Sequence, residues 1–409
     1  MFSRFKDFLY RHRRKFLFGG LLAGGMVFAS KYAEQKFIEW QERERNILLE
    51  KQKRRQHFDS TKRTANTTIF SLSSSLKEVI VRELDSDTLL QAIRDQPATK
   101  HISWEQLKIV AFSRTICTVY SSSLLAAVVH VQLMLLGGYT YGDLINEGHA
   151  GVSITQQVQR RYLLLIQDFV TNGLVDLIET IGRAVYHTVN GLSLSRSLTI
   201  KQLEGVFQEI VLSLTGEKVL QEASNTGSFV LHPWSYYVTR ESLNAEESSS
   251  NDAVEQLLKN MIVETSDVLD SNDFNCVVQT LIQQGLNHIL DRVTEYYPTN
   301  NTFYKNANNN IETHTNENSD IKDISSPSTD EDDKIVNISP DSIVEQPETY
   351  IWNAELPVAK LIPLLCHLVH GALSPAHGQL IQKLINDGKL ETLSYSVYEG
   401  FSIPLMNSN

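Results

Sequence analysis

The sequence predicts an all-α protein, a single large helical bundle preceded by one N-terminal transmembrane helix. Glycine and proline are scarce, at 20 and 10 of 409 residues, which disfavours the turn-rich sandwiches and barrels. From about residue 61 onwards, apolar residues recur with the period of amphipathic helices. Hydrophobic residues make up 42% of the chain, enough to bury a sizeable core.

The predicted anchor is the segment 16–32. A basic cluster at 11–15 precedes an uncharged apolar run that ends at Lys31-Tyr32. The run is shorter than the roughly 20 residues that span a bilayer comfortably, but flanking lysines can reach the headgroups. We therefore interpret 1–15 as a short basic N-terminus and 16–32 as a transmembrane anchor. A cleaved signal peptide and a helix lying in the interface are the alternatives.

The dense charge and helical apolar spacing of residues 33–60 predict a charged, membrane-proximal helix with one narrow apolar stripe. The first 63 residues carry 16 Lys/Arg against 7 Asp/Glu, whereas the whole chain has a net charge of −11. A basic arm beside an anchor favours contact with anionic lipid headgroups and not with nucleic acid. The helix is either a stalk above the membrane or a solvated helix packed on the body.

The helical body is predicted over 61–298 together with 350–405. Ser86 has the features of a helix N-cap, and Ser103 to Gln106 fit a capping box. Apolar periodicity predicts the remaining helices at 155–190, 199–222, 251–270, 275–297, 358–370, 376–387 and 391–402.

The stretch Thr115 to Gly142 contains no formal charge and is long enough to cross a membrane. Serines, a histidine and a glutamine interrupt its apolar run, so we interpret it as a buried core helix. Gly137-Gly138 is typical of a helix stop.

Residues 299–349 form an Asn-rich, acidic insert in which acids outnumber bases eleven to three. Such a composition cannot bury enough apolar surface to fold, so we predict disorder. Ser326 and Ser339, each followed by proline, are hypothetical phosphorylation sites.

The sequence contains no motif of a hydrolase, P-loop, dinucleotide-binding or zincin type. Three scattered cysteines define neither a disulfide framework nor a zinc site. His367 and His370 lie three residues apart but have no evident third ligand. We therefore predict no catalytic, cofactor or metal site, and expect recognition of a partner protein.

Trp104 is the residue on which that expectation rests. In the first turn after its predicted cap, the indole can form an apolar groove with Leu90 and Ile93 of the preceding helix. The alternative is that Trp104 belongs to the core. A cation-rimmed apolar groove on an acidic body suits an amphipathic helix with acidic flanks. The predicted rim consists of Arg94, Lys100 and Lys108.

These segments resemble the peroxin-3 family along nearly the whole chain. The resemblance is carried by the basic start ending in Lys31-Tyr32, by Trp104 to Lys108, by the block from Tyr120 to Tyr139, and by Pro357 to Pro363. It implies one helical cytosolic domain around a long central helix, with the N-terminus in the peroxisomal matrix. The positive-inside rule alone would place the 11–15 cluster in the cytosol.

The resemblance also implies a function, that of a membrane-anchored docking receptor which captures peroxin-19 with its cargo and supports insertion of peroxisomal membrane proteins. An amphipathic helix of peroxin-19 would lie in the groove. The matching positions are Ile93, Arg94, Lys100, Trp104, Leu107 and Lys360.

Two other functions remain open at this point. One is an organelle tether or adaptor for peroxisome inheritance or turnover. The other is a lipid-handling protein with an apolar cavity along Thr115 to Gly142. The resemblance implies location in the peroxisomal membrane, with passage through the endoplasmic reticulum during biogenesis as a further possibility.

Overall fold

The computed structural model describes residues 2–95, 100–145, 154–215, 231–245, 253–297, 354–374 and 378–402. Nearly all of them are helical, which confirms the all-α prediction. The elements in chain order are α1 (Phe2–Glu83), α2 (Asp87–Asp95), α3 (Lys100–Ile145), α4 (Gln156–Asp168), a π-turn (Phe169–Gly173), α5 (Leu174–Val189), β1 (Ser197–Thr199), α6 (Ile200–Thr215), α7 (Trp234–Ala245), α8 (Ala253–Leu269), α9 (Asn272–Thr294), β2 (Glu355–Pro357), α10 (Val358–Ala372), α11 (Gln379–Ile385) and α12 (Gly388–Ser402).

The chain divides into two compact units, residues 1–61 and 62–409. In the first unit, the backbone is helical from Phe2 onwards, through the predicted anchor and the charged segment. All side chains from 30 to 53 are exposed, including Phe37 and Trp40, whose ring centroids lie 6.0 Å apart. The membrane span at 16–32 stays a prediction.

The second unit is built around α3, which contacts α2, α5, α9, α10 and α12. Every residue from Ala111 to Leu135 is buried, as expected for a helix surrounded by other helices. Within the described residues, α3 is the helix that is long and apolar enough to cross a membrane. Yet 94% of its apolar window is buried inside the protein, so the prediction of a core helix is confirmed.

Several hydroxyl side chains of α3 hydrogen-bond to the backbone of the same helix, although the buried hydroxyls of Ser113, Tyr120 and Ser123 have no hydrogen-bond partner among the described residues. Thr118, Ser121 and Ser122 donate to carbonyls one turn earlier, at 2.5–2.7 Å, which satisfies these polar groups inside an apolar core. The predicted stop at Gly137-Gly138 is wrong, because the helix continues to Ile145. Gly138 instead provides space for α12: an added Cβ would lie 2.7 Å from the Cβ of Phe401.

Two predicted helix caps need correction. Ser103 lies inside α3, which already includes Lys100, so the capping box does not form. The helix after Ser86 does begin at Asp87, but the side chain that caps it is Asp85, whose carboxylate accepts from the Asp87 N–H at 2.8 Å.

The predicted segment 155–190 is helical with a π-turn between α4 and α5. Two features were not predicted from the sequence. One is α7, and the other is the antiparallel pairing of β1 with β2, in which Leu198 faces Leu356. The insert 299–349, with Ser326 and Ser339, lies outside the described residues.

Candidate functional site

The predicted groove residues belong to three helices. Ile93 and Arg94 lie near the end of α2, and Lys360 lies in the first turn of α10. The others lie in the first turns of α3: Lys100, Trp104 and Leu107. Both α2 and α10 pack against α3. Leu107 is buried and Trp104 is half-buried, so the indole is neither a fully buried core residue nor fully exposed.

Helix α2 presents an apolar face that is incompletely covered. Leu89, Leu90 and Ile93 recur at helical spacing, and none of the nine residues of α2 is buried. All three apolar side chains are half-buried. A partly covered apolar face on a helix that packs against α3 is suited to receive further apolar side chains.

The start of α2 is fixed to the core by Arg114, which is 2% exposed. Its guanidinium donates to the carbonyls of Leu84 and Val81 at 2.6 and 3.2 Å and to the Ser86 hydroxyl at 2.8 Å. Burial raises the pKa of the Cys366 thiol on α10. Arg114 and a hydrogen bond with Ser86 partly oppose this rise in the pKa, which places the thiol near both residues. Helices α2, α3 and α10 therefore meet at the level of Arg114.

Lys108 was predicted at the rim of the groove, and this is wrong. Its side chain has no exposed surface. The ammonium donates to the Glu105 carboxylate at 2.6 Å and to the carbonyls of Leu192 and Asn190 at 2.5 and 3.4 Å. These contacts satisfy a cation that would be costly to bury alone.

The carbonyls that Lys108 contacts belong to a connection after α5, residues 190–196, which we call the 190–196 loop. The other end of this loop contacts the start of α10. The N–H groups of Val358 and Ala359 donate to the carbonyls of Arg196 and Leu194 at 2.9 and 3.1 Å. The first turns of α3 and of α10 are thus joined through one short loop.

The surface around these turns carries positive charge. Arg94, Lys100 and Lys360 are exposed, and among the described residues none of the three forms an ion pair. Further along α10, burial lowers the pKa of His370, and nearby Lys77 lowers it further. The site therefore offers cations on a chain with a net charge of −11.

The described residues contain no group of three or more His, Cys, Asp or Glu that could hold a metal ion. His377, which follows His367 and His370 in the sequence, lies outside the described residues. Cavities of about 560 and 520 Å³ occur beside α7 and beside the 190–196 loop. Neither of these two is lined by α3, where the lipid-handling hypothesis places its cavity.

Sequence reasoning missed Glu105 and the 190–196 loop as parts of this site. The acceptors of Lys108 lie 82 and 84 residues further along the chain, so no local pattern connects them. The signal that could have been used is the apolar run Ile109 to Phe112, which directly follows Lys108 and makes a fully solvated lysine less expected there.

Comparison with known proteins identifies related chains. A family profile described as Peroxin-3 matches residues 7–103 and 145–399. Peroxisomal biogenesis factor 3 of Bos taurus is 30% identical, over 99% of this chain and 99% of that protein. The protein of the same name in Homo sapiens is 29% identical, over 97% of each chain. Peroxisome biogenesis protein 3-1 of Arabidopsis thaliana is 27% identical, over 66% of this chain and 77% of its own length.

Proposed function

Because this chain belongs to the peroxin-3 family, and therefore acts in peroxisome biogenesis and not as an enzyme, we propose that it is a docking receptor for peroxin-19. The groove would capture peroxin-19 with its cargo at the peroxisomal membrane. The observation that carries the proposal is that Trp104 and the apolar face of α2 are both only half-buried, on two helices that pack against each other. Aromatic anchors in partly closed apolar sites supply most of the binding energy of many interfaces.

The chemistry of the site matches an amphipathic helix. Such a helix places apolar side chains at three- and four-residue spacing into a groove, while its polar face remains in water. Ile93, Trp104 and Leu107 would contact the apolar side chains. Arg94, Lys100 and Lys360 would attract acidic residues that flank them, and would accelerate association.

The anchor at 16–32 would hold the receptor in the peroxisomal membrane with its helical body in the cytosol. The basic residues at 11–15 and in the charged segment 33–60 would contact anionic lipid headgroups. Insertion of the delivered membrane proteins would follow docking. Passage through the endoplasmic reticulum and contacts with inheritance or turnover adaptors are compatible with the same domain and involve other surfaces.

Site-specific photo-crosslinking tests the proposal. The full chain, reconstituted in lipid nanodiscs, carries the photoreactive residue benzoylphenylalanine in place of Ile93, a half-buried residue of α2 that we assign to the groove. A control carries it in place of Tyr395, an exposed residue of α12. We expect purified peroxin-19 to crosslink through its N-terminal region from position 93 only. Equal crosslinking from both positions, or none from position 93, would contradict the proposal.

A further inference from the structure

We propose that Lys108, together with Glu105, is a positioning residue of the docking groove, which holds the 190–196 loop so that the α3 and α10 walls keep a fixed spacing. The inference rests on the proposed function, because it concerns how the same groove is preorganised. It assigns a role to a residue that the sequence places at the rim and that the structure places inside.

Lys108 is held in a buried polar environment. The side chain is completely buried and has three acceptors, one carboxylate and two main-chain carbonyls. Two of the acceptors come from the 190–196 loop, which has no regular secondary structure. A buried ammonium with these acceptors restricts the loop, since any displacement would leave polar groups unpaired.

Lys108 lies on α3 close in sequence to the proposed groove residues. It lies four residues after Trp104, one helical turn away, and directly follows Leu107. Glu105 follows Trp104 directly and is partly exposed. The groove side chains of α3 and the polar contacts to the loop therefore come from the same two turns of the helix.

The opposite end of the 190–196 loop contacts α10. Its carbonyls accept from Val358 and Ala359, the two residues before Lys360. These are first-turn N–H groups, which a helix cannot satisfy by itself. Directly after the loop, β1 pairs with β2, and the Tyr297 hydroxyl donates to the Leu198 carbonyl at 3.1 Å. One loop thus connects the α3 wall with the turn that presents Lys360.

The clamp formed by Lys108, Glu105 and the loop lies before the segment of α3 that is buried without interruption. Every residue from Ala111 to Leu135 is buried, and this packing holds α3 in the core. What Lys108 adds is the position of the loop and, through it, of Lys360. A partner helix that spans both walls would bind more tightly to a groove whose spacing is set in advance.

The test measures the affinity of the full chain in nanodiscs for a synthetic peptide of the N-terminal amphipathic helix of peroxin-19. Lys108→Met removes the ammonium, and Glu105→Gln is a milder second variant that removes only the negative charge. The matched control is Gln132→Met, which also removes a buried side-chain donor of α3 to a main-chain carbonyl, that of Tyr162. Gln132 lies about 36 Å further along the helix.

Each of these variants is then combined with Lys360→Ala or with Arg94→Ala in double-mutant cycles. Arg94 lies on α2 and serves as a rim cation outside the clamp. We expect Lys108→Met to weaken binding about tenfold or more, as for a residue that supports a binding hot spot, and Glu105→Gln to weaken it less. We expect Lys360→Ala to lose most of its effect in the Lys108→Met background, and Arg94→Ala to keep its effect.

Four results would overturn the inference. One is wild-type affinity for both clamp variants while Trp104→Ala weakens binding, which would leave the docking function intact. Another is equal weakening by Gln132→Met, which would indicate a general loosening of the fold. A third is additive effects of Lys108→Met and Lys360→Ala, which would show that Lys108 does not act through Lys360. If Trp104→Ala binds normally, the peptide does not use the groove, and the docking proposal fails together with the clamp.

Discussion

Replacement of Gly173 by alanine tests a close backbone approach between the π-turn and α7. Gly173 is the last residue of the π-turn, and its φ of −61° is helical, so no unusual backbone angle requires glycine. Space requires it instead. A Cβ at this position would lie 1.8 Å from the carbonyl oxygen of Tyr237 on α7 and 2.8 Å from its carbonyl carbon.

The expected cost follows from these distances. Real Cβ atoms are essentially never found within 3.0 Å of such atoms, so α7 and the π-turn must separate by more than 1 Å. The obstacle is main chain, which cannot rotate away, and α7 buries Trp234, Tyr237 and Val238. Overpacking costs typically 1–3 kcal/mol and occasionally more, so we expect a loss of about 3 kcal/mol or more for Gly173→Ala.

The assay is urea and thermal unfolding of the full chain, with Gly182→Ala as the matched control. Gly182 lies in α5, and an added Cβ there would have no neighbour within 4 Å. The control should be about 0.5–1 kcal/mol more stable than wild type, because alanine is the better helix former. Because the unfolding entropy grows with domain size, at about 2.1 cal/mol/K per residue, a loss of about 3 kcal/mol in a unit of this size should lower the melting temperature of Gly173→Ala by about 4 °C or more. Wild-type stability of Gly173→Ala would refute the close approach of α7 to the π-turn.

Three further predictions concern the core. Burial lowers the pKa of His130 from 6.5 to about 4, so the unfolded chain takes up a proton between these pH values that the folded chain excludes. Wild type therefore loses stability as pH falls through this window, and His130→Gln lacks this loss. When the pH is lowered from 7.5 to 5, the free energy of unfolding in urea should fall by about 2 kcal/mol less for His130→Gln than for wild type. Parallel pH profiles of the two proteins would contradict this. Arg114→Met leaves three acceptors unpaired and should cost about 3 kcal/mol or more in the same assay, whereas wild-type stability would show that these contacts are not formed. A thiol reagent should label exposed Cys276 in the native protein and buried Cys117 only after unfolding; rapid native labelling of Cys117 would refute the core position of α3.

The helical architecture was predictable because burial leaves a direct trace in the sequence. The uncharged stretch from Thr115 to Gly142 indicated a core helix, and its serines argued against a membrane span. The structure adds the reason two of those serines, Ser121 and Ser122, are tolerated, which is hydrogen bonding to the carbonyls one turn earlier. Gly138 shows the limit of such reasoning, since a glycine that admits a neighbouring helix has the same appearance in sequence as one that ends a helix.

The site was predictable only in part, because its geometry depends on long-range contacts. Ile93 and Trp104 could be assigned to consecutive helices, α2 and α3, which pack against each other. Lys108 could not be placed, since a lysine near a helix start is normally solvated and its acceptors come from a distant loop. The hydrogen bonds between the 190–196 loop and the start of α10, the helix that carries Lys360, likewise join residues far apart in the chain, which no local periodicity encodes.

The affinity of the full chain for the N-terminal amphipathic peptide of peroxin-19, with and without Trp104, tests the central claim most directly. Titration calorimetry on nanodisc-embedded protein would compare wild type, Trp104→Ala and Trp40→Ala, the last replacing an exposed tryptophan of the first unit. We expect Trp104→Ala to lose about 2 kcal/mol or more of binding free energy, as for a hot-spot anchor, and Trp40→Ala to bind as wild type. Unchanged affinity of a correctly folded Trp104→Ala would contradict docking in this groove.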